Sequence, residues 1–490
     1  MGRKAMLNWK LDLRLLAFIV LFLSVLMGIP TILSFHFQEP DAIRGFLVAY
    51  GAIAAFCSTI LILIRKPESK TLLARDGYLV VTLTWIVATA FSAIPLVASN
   101  AYVNYSSAYF EIMSGFTTTG ATVLTEIESL PKSILFWRSQ TNWLGGMGIV
   151  VLFVALLPAL GVSGTLLVGA ESVGPTKDKL TPKIKNTALI LWSIYIGFSV
   201  LETVLLLFGG LSLYDAVTVT FSTMAAAGFC VKNSSIGTFS SAYVDVVVTI
   251  FMLVSGANFA LYYKAISGKI SSVLKDGELR VYLGIWAFVA FVSALYLFFS
   301  NTYASFAQSL RYSAFQTASI LTTTGFATAD YVLWPAFPQV MLFLLFFIGG
   351  SAGSAGGGVK VIRIVALFKM GRAQIKHRIH PRGVFQVRVG STSMREDLLL
   401  SIATFFGVYI LTGVVGTVLI SLSGADIMTS IAASFLCLGN IGIGFAEVGP
   451  TGNFAFLPSY LKWVCSFLML VGRLELFTVY VLFSKHFWKR

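Results

Sequence analysis

Apolar stretches of about twenty residues, separated by short polar or glycine-rich connections, recur from Leu15 to the C-terminal end of the chain. A helix of ~20 residues crosses the ~30 Å hydrocarbon core of a bilayer. Windows of that length predict ten spans, at 12–36, 42–64, 78–98, 134–157, 187–209, 243–265, 281–300, 339–368, 397–421 and 460–484. Transmembrane strands would instead alternate over short segments, so the expected fold is all-α and polytopic. The stretch Leu15–Phe35 is longer than the apolar region of a leader and no small-residue cleavage site follows it, so it is read as a retained span.

Four segments between the spans are too short to cross the membrane yet too apolar for solvent. They close on related strings: Gly115–Thr122 (GFTTTGAT), Thr223–Phe229 (TMAAAGF), Leu321–Phe326 (LTTTGF) and Leu438–Phe445 (LGNIGIGF). Aligning Gly120, Gly228, Gly325 and Gly442 gives separations of 108, 97 and 117 residues. Each interval holds a span, a short helical segment, a string and another span, which predicts a fourfold internal repeat behind two N-terminal spans. The expected division is 1–70 for those two spans, then repeats 71–180, 181–275, 276–390 and 391–490, with loops 117–122, 225–229, 322–326 and 439–444.

Composition narrows the class further. The chain is 57% apolar and 11% charged, against roughly 25% charged in a soluble chain, which excludes a soluble globular protein. The net charge of +14 is set by where cations sit between spans rather than by nucleic acid as a partner. One side collects Arg3, Lys4, Lys10, Arg65, Lys66, Lys70, Arg75, Lys177, Lys179, Lys183, Lys185, Lys264, Lys269, Lys275, Arg280, the run Lys369–Arg395, Lys485, Lys489 and Arg490. The other keeps Arg44, Lys132, Arg138, Lys232, Arg311 and Lys462. This bias places both termini in the cytoplasm and all four strings on the outer face. His377 and His380 lie in the basic run and read as part of a solvated cationic face, one that a cytosolic regulator or anionic membrane lipid would also fit. Cys57, Cys230, Cys437 and Cys465 lack metal-ligand spacing and read as packing residues.

Small residues in four outer strings let backbone carbonyls approach a common axis, and a dehydrated cation requires such oxygens. The candidate filter is Thr117, Thr118, Thr119, Gly120, Ala226, Ala227, Gly228, Thr322, Thr323, Thr324, Gly325, Asn440, Ile441 and Gly442. Helical segments Ser106–Phe116, Tyr214–Met224, Ala304–Leu321 and Asp426–Cys437 precede the strings, with Asp215 and Asp426 expected as N-caps. Their C-terminal ends, each carrying about −0.5 charge, would face a central cation. Asp330 near the mouth reads as a solvated loop acid.

Within the eighth window, Gly349, Gly350, Gly353, Gly356, Gly357 and Gly358 disfavour a regular helix by ~1 kcal/mol each, which predicts a broken, pore-facing segment that can obstruct the path. Arg473, deep in the last span, is expected to face the pore at the same level. Glu475, two residues on, would point away from it on a continuous helix, and Lys360 is expected to snorkel from a helix end.

The TTTGAT string, Arg138–Gly148 (RSQTNWLGGMG), Ser255–Ala260 (SGANFA), Gly349–Arg363 (GGSAGSAGGGVKVIR) and Leu470–Phe477 (LVGRLELF) resemble the TrkH family, pore subunits of bacterial Trk potassium uptake systems in the Trk/Ktr/HKT superfamily. The resemblance extends over nearly the whole chain. It implies K+ as the transported ion with no organic cofactor in this subunit, and a multi-pass protein of the cell inner membrane. It also implies a homodimer with one pore per subunit, gated by a cytosolic nucleotide-binding TrkA-type ring. Three positions depart from the family's usual residues: Ala227 where Gly is common, Ala355 where Thr is common, and Asn142 where Gln is common. Gly120 implies preference for potassium, while Ala227 leaves the strictness of selection open. The alternative function is a sodium- or proton-coupled potassium symporter, for which Glu202 and Glu475 are the candidate carboxylates. No nucleophile–base set or buried metal pair points to an enzyme.

Overall fold

The structure, a computed structural model, describes residues 7–64, 73–148, 184–383, 385–389 and 392–489. Helices dominate, and the described residues include one two-residue antiparallel strand pair, Arg388–Val389 with Thr392–Ser393. Among the described residues, six helices are long and apolar enough to span a bilayer: Trp9–His36, Pro40–Leu63, Arg75–Ala98, Asn186–Phe208, Gly277–Phe299 and Glu396–Ser421. This is an integral membrane protein. Exposed Leu, Ile, Val and Phe cover the outer faces of these helices, as lipid contact requires.

The other four expected spans differ from straight helices. Ala242–Ser255 and Phe259–Ile266 are bent by 95°, and Ser459–Arg473 and Phe477–Phe483 by 110°. Hydropathy reads both pairs as single windows because each break is only three residues long and is averaged with the apolar helices on either side. The window 339–368 takes in most of the helix Ala336–Leu345, an irregular stretch, and the start of a new helix, Val361–Ile379, that extends well into the basic run Lys369–Arg395. The window 134–157 begins as the helix Lys132–Gly146, and its continuation lies outside the described residues, as do Arg3, Lys4, Lys66, Lys70, Lys177, Lys179 and Lys183.

Four short helices end at the glycine strings: Tyr105–Phe116, Leu213–Met224, Phe306–Leu321 and Ile427–Gly439. Asp426 caps the last by accepting from Thr429 N at 3.1 Å, as expected. Asp215 does not cap the second. Ser212 does, accepting from Asp215 N at 3.1 Å while its hydroxyl donates to the Asp215 carboxylate at 2.7 Å, a capping-box variant in which the acid sits three residues inside.

Packing joins the short helices into a closed circuit. Tyr105–Phe116 packs on Lys132–Gly146, which packs on Leu213–Met224, which packs on Ala242–Ser255 and through it on Phe306–Leu321. Phe347 against Phe435 and Phe343 against Phe445 connect the third unit to the fourth, and Ser459–Arg473 returns to Tyr105–Phe116. The first two spans lie outside this circuit. Pro40–Leu63 approaches Ile94–Ala98 so closely that a Cβ on Gly45 would lie 2.5 Å from Pro95 O.

Candidate functional site

The four strings follow one backbone plan. Thr118, Ala226, Thr323 and Asn440 all have φ between 51° and 64°, each two residues before an aligned glycine. Gly120, Gly228 and Gly325 also have positive φ, at 80°, 73° and 84°, whereas Gly442 does not. Left-handed Thr and Ala cost about 1–2 kcal/mol each, so the surroundings must fix them. They do so through the string amides, which turn back onto their own helices. Thr119 N donates to Ser114 O at 2.8 Å, Ala227 N to Ser222 O at 3.0 Å, Gly325 N to Ser319 O at 3.2 Å and Ile441 N to Leu436 O at 3.0 Å.

With the amides used in this way, the carbonyls are left over. Among the described residues, no N–H donates to the carbonyls of Thr117–Gly120, Ala226–Gly228, Thr322–Gly325 or Asn440–Gly442. Buried carbonyls without donors are costly unless water or a cation meets them. The hydroxyls are directed elsewhere. Thr117 Oγ1 donates to Met113 O at 2.6 Å and lies 2.9 Å from Thr119 Oγ1, while Thr322 Oγ1 donates to Ala318 O at 2.8 Å and lies 2.7 Å from Thr324 Oγ1.

The strings meet at their glycines. A Cβ on Gly120 would overlap Ala227 O, one on Gly228 would overlap Thr324 O, and one on Gly325 would overlap Gly442 Cα. One on Gly442 would lie 2.8 Å from Gly325 Cα, 2.9 Å from Thr324 O and 3.2 Å from Thr119 O. Carbonyls from three strings therefore converge on the glycines of their neighbours, and the Ile441 side chain turns back toward Gly439. A vestibule of ≈130 Å³ opens above, lined by all four glycines with Thr122, Asn233, Thr451 and Asn453. Asp330 is not among its lining residues; it accepts from Val332 N at 3.1 Å and from Thr451 Oγ1 at 3.3 Å.

Behind the first string sits an ion pair that hydropathy does not reveal. Arg138 Nη2 is 2.6 Å from Glu111 Oε1, with both side chains buried, and the guanidinium stacks over Phe229 at 4.2 Å. Glu111 also accepts from Thr122 Oγ1 and Val123 N, which holds the outgoing end of the string. Arg138 and Lys462, counted as outer-face cations from sequence, are thus interior groups, with Lys462 Nζ donating to Ser107 Oγ at 3.0 Å.

Beneath the strings lies the irregular stretch between Leu345 and Val361. Gly358 N donates to Gly439 O at 2.8 Å and Gly357 N to Thr323 Oγ1 at 2.6 Å, so Gly356–Gly358 press on the third and fourth strings. Gly350 and Gly353 instead dock on the second unit's break, where Ser351 N donates to Gly256 O at 2.9 Å and Phe259 N to Gly353 O at 3.1 Å. Gly349 closes the stretch on itself against Gly358. The SGANFA break is therefore the seat of the glycine-rich segment.

Arg473 joins these parts. Its Nη1 donates to Thr118 Oγ1 at 3.0 Å and to Ala355 O at 2.9 Å, and its Nη2 to Gly145 O at 2.6 Å and Gly146 O at 3.1 Å. One guanidinium spans the first string, the glycine-rich segment and the end of Lys132–Gly146, a use for which only a planar multi-donor group suffices. The helix ends at Arg473, and Glu475 and Leu476 take φ of 56° and 58°, so the angular argument for a continuous helix does not apply there. Glu475 accepts from Arg363 Nη2 at 2.6 Å, and Arg363 stacks over Phe405 at 3.8 Å.

Two further groups hold the segment. Lys360 does not snorkel; it is fully buried with φ of 80°, and its ammonium donates to Gly356 O. Glu278, unremarked in the sequence, accepts with one oxygen from Ala352 N at 2.8 Å and Ile362 N at 3.2 Å, so a single carboxylate ties the middle of the segment to the start of the helix that follows it. Glu202 is buried with neither oxygen hydrogen-bonded among the described residues.

The chain is similar to known proteins over nearly its whole length. The family model TrkH, cation transport protein, matches residues 45–490. The chain is 38% identical to the Trk system potassium uptake protein TrkH of Salmonella typhimurium, over 97% of this chain and 98% of that one. It is 35% identical to the Trk system potassium uptake protein TrkG of Escherichia coli, over 96% and 97%. The crystal structure of the potassium transporter TrkH from Vibrio parahaemolyticus superposes with a TM-score of 0.87 at 33% identity, covering 99% of this chain and 100% of that one.

Proposed function

The chain belongs to the TrkH family of cation transport proteins, and on that footing we propose that it is the potassium-translocating subunit of a Trk-type uptake system. Potassium passes down its electrochemical gradient through the four glycine strings, with Gly349–Gly358 and Arg473 as the gate. The observation that carries this reading is the convergence of four short helices on string carbonyls that accept no N–H from the described residues. Such oxygens replace the hydration shell of a monovalent cation, and the four helix C-termini lower its energy without a fixed carboxylate.

The reading includes ten spans, a pseudo-fourfold arrangement with repeats 71–180, 181–275, 276–390 and 391–490, and both termini in the cytoplasm of an inner-membrane protein. It also includes a homodimer and a cytosolic nucleotide-binding ring of TrkA type, both carried from family membership. The subunit is proposed as a pore, not an enzyme.

The second reading is sodium- or proton-coupled symport, and the observation on its side is the buried carboxyl of Glu202. Glu475, the other candidate, is engaged by Arg363. Reversal potentials of the purified chain in liposomes separate the two. A pore follows the potassium gradient alone, whereas a coupled carrier shifts its reversal with sodium or pH as well.

A further inference from the structure

The helix Val361–Ile379 carries two stripes that the pore does not use. Phe368, Ile375 and Ile379 are 69%, 62% and 66% exposed, and at 100° per residue they fall within about 40° of one another around the helix. Lys369, Arg372 and Lys376 form the adjoining stripe, also exposed, at spacings i, i+3 and i+7. Like charges three and four residues apart repel, so this alignment costs stability unless an anion answers it.

Those three cations line one side of an open surface groove. Residues 385–388 fold back against the helix, with Lys369 Nζ donating to Arg388 O at 2.7 Å, and enclose a cleft of ≈690 Å³. Its walls are Lys369, Arg372, Lys376 and Arg388, over Phe385 and the buried Val387. Among the described residues, no carboxylate lines the cleft and none of the four cations forms a salt bridge.

We propose that this groove binds the phosphate headgroup of an anionic phospholipid, with the acyl chains lying along Phe368, Ile375 and Ile379. A soluble phosphate would use the four cations but leave the apolar stripe bare. A lipid uses both at once, as basic amphipathic helices do at a membrane surface. The helix begins directly after Lys360, whose ammonium holds Gly356, so the bound lipid acts on the element that continues the glycine-rich segment. The site rests on the topology proposed above only for the leaflet that supplies the lipid.

The test is binding rather than flux, which keeps it separate from the transport reading. The purified full chain in neutral detergent is titrated with phosphatidylglycerol or phosphatidylcholine and the retained lipid counted by native mass spectrometry. Phosphatidylglycerol is expected to bind selectively. Each basic residue near an anionic surface is worth about fivefold, so the triple variant Lys369→Gln, Arg372→Gln, Lys376→Gln should weaken it about a hundredfold. Lys369→Arg with Lys376→Arg, which keeps the charge, should bind as the parent does and controls for folding. Ile375→Ser with Ile379→Ser should weaken phosphatidylglycerol but not its chain-free headgroup, glycerophosphoglycerol. Equal binding of phosphatidylglycerol by the triple variant overturns the site. Equal affinity of the parent for glycerophosphoglycerol overturns the lipid as source. Loss of regulator capture in the triple variant with lipid binding intact makes the groove a protein-docking surface, and the proposal falls.

Discussion

Replacing Arg473 with Ala removes bonds to Thr118, Ala355, Gly145 and Gly146. Of these, the Ala355 bond alone reaches the glycine-rich segment, and a hydrogen bond from a charged donor contributes about 1.5–3 kcal/mol. The charge is a second effect. A guanidinium about 7 Å from a passing potassium ion, at an effective dielectric near 20, would repel it by about 2 kcal/mol. Either effect alone predicts a rise in potassium flux of roughly ten- to a hundredfold, and the two together about a thousandfold. Arg473→Lys and Arg473→Gln separate them, since Lys keeps the charge without the fork and Gln keeps a donor without the charge. If repulsion dominates, Gln resembles Ala and Lys resembles the parent; if the hydrogen-bonded fork dominates, all three are leaky. The assay is rubidium uptake into liposomes loaded with potassium, normalised to inserted protein. Unchanged uptake by correctly inserted Arg473→Ala would refute the gate.

Gly325→Ser places a Cβ into Gly442 Cα at a φ of 84°, and a loss of even ~1.4 kcal/mol in discrimination lowers the potassium-to-sodium permeability ratio tenfold. Bi-ionic potentials read this directly, and an unaltered ratio removes the string from the filter. Glu278→Ala cuts the ties to Ala352 and Ile362, so basal flux should rise by about tenfold, whereas Glu278→Gln, which keeps an acceptor oxygen, should lie nearer the parent. Indistinguishable uptake by Glu278→Ala and the parent would show that the carboxylate does not restrain the segment. A cysteine at Thr451, in the vestibule wall, should react with an impermeant thiol reagent added to intact cells, and one at Arg378 only after the membrane is opened. The reverse pattern would invert the proposed topology.

Hydropathy made the long helices legible because lipid-facing surface must be continuously apolar, and the four strings were legible because a small-polar run ending in Gly is conspicuous between such helices. The short helices before the strings fell within one or two residues of their expected bounds, Ala304 against Phe306 being the largest miss at an N-terminus. Breaks in the backbone were not legible. Ser255 to Phe259 and Arg473 to Phe477 are only five residues each, and their few polar groups are diluted in a window of about twenty, so a 95° or 110° bend leaves no trace in the average. Nor does sequence report which charges are answered inside the protein. Lys360 looks like a helix-end lysine until Gly356 O is seen beside it, and Glu111, Arg138 and Glu278 meet partners 11 to 84 residues away.

In the proposed pore one polypeptide supplies all four corners, so each corner has its own codons. Two carry Thr-Thr-Thr-Gly with paired hydroxyls, one carries Ala-Ala-Ala-Gly without them, and one carries Gly-Asn-Ile-Gly. In an assembly of four identical chains a substitution is repeated around the axis, so a cost of about 0.35 kcal/mol becomes about 1.4, a tenfold change in discrimination. Here the same substitution is felt once, as less than a twofold change. On that reading a mutational lineage can alter the proposed ring by small independent steps, and an aperture of this kind is free to drift in ion preference without first passing through a broken one.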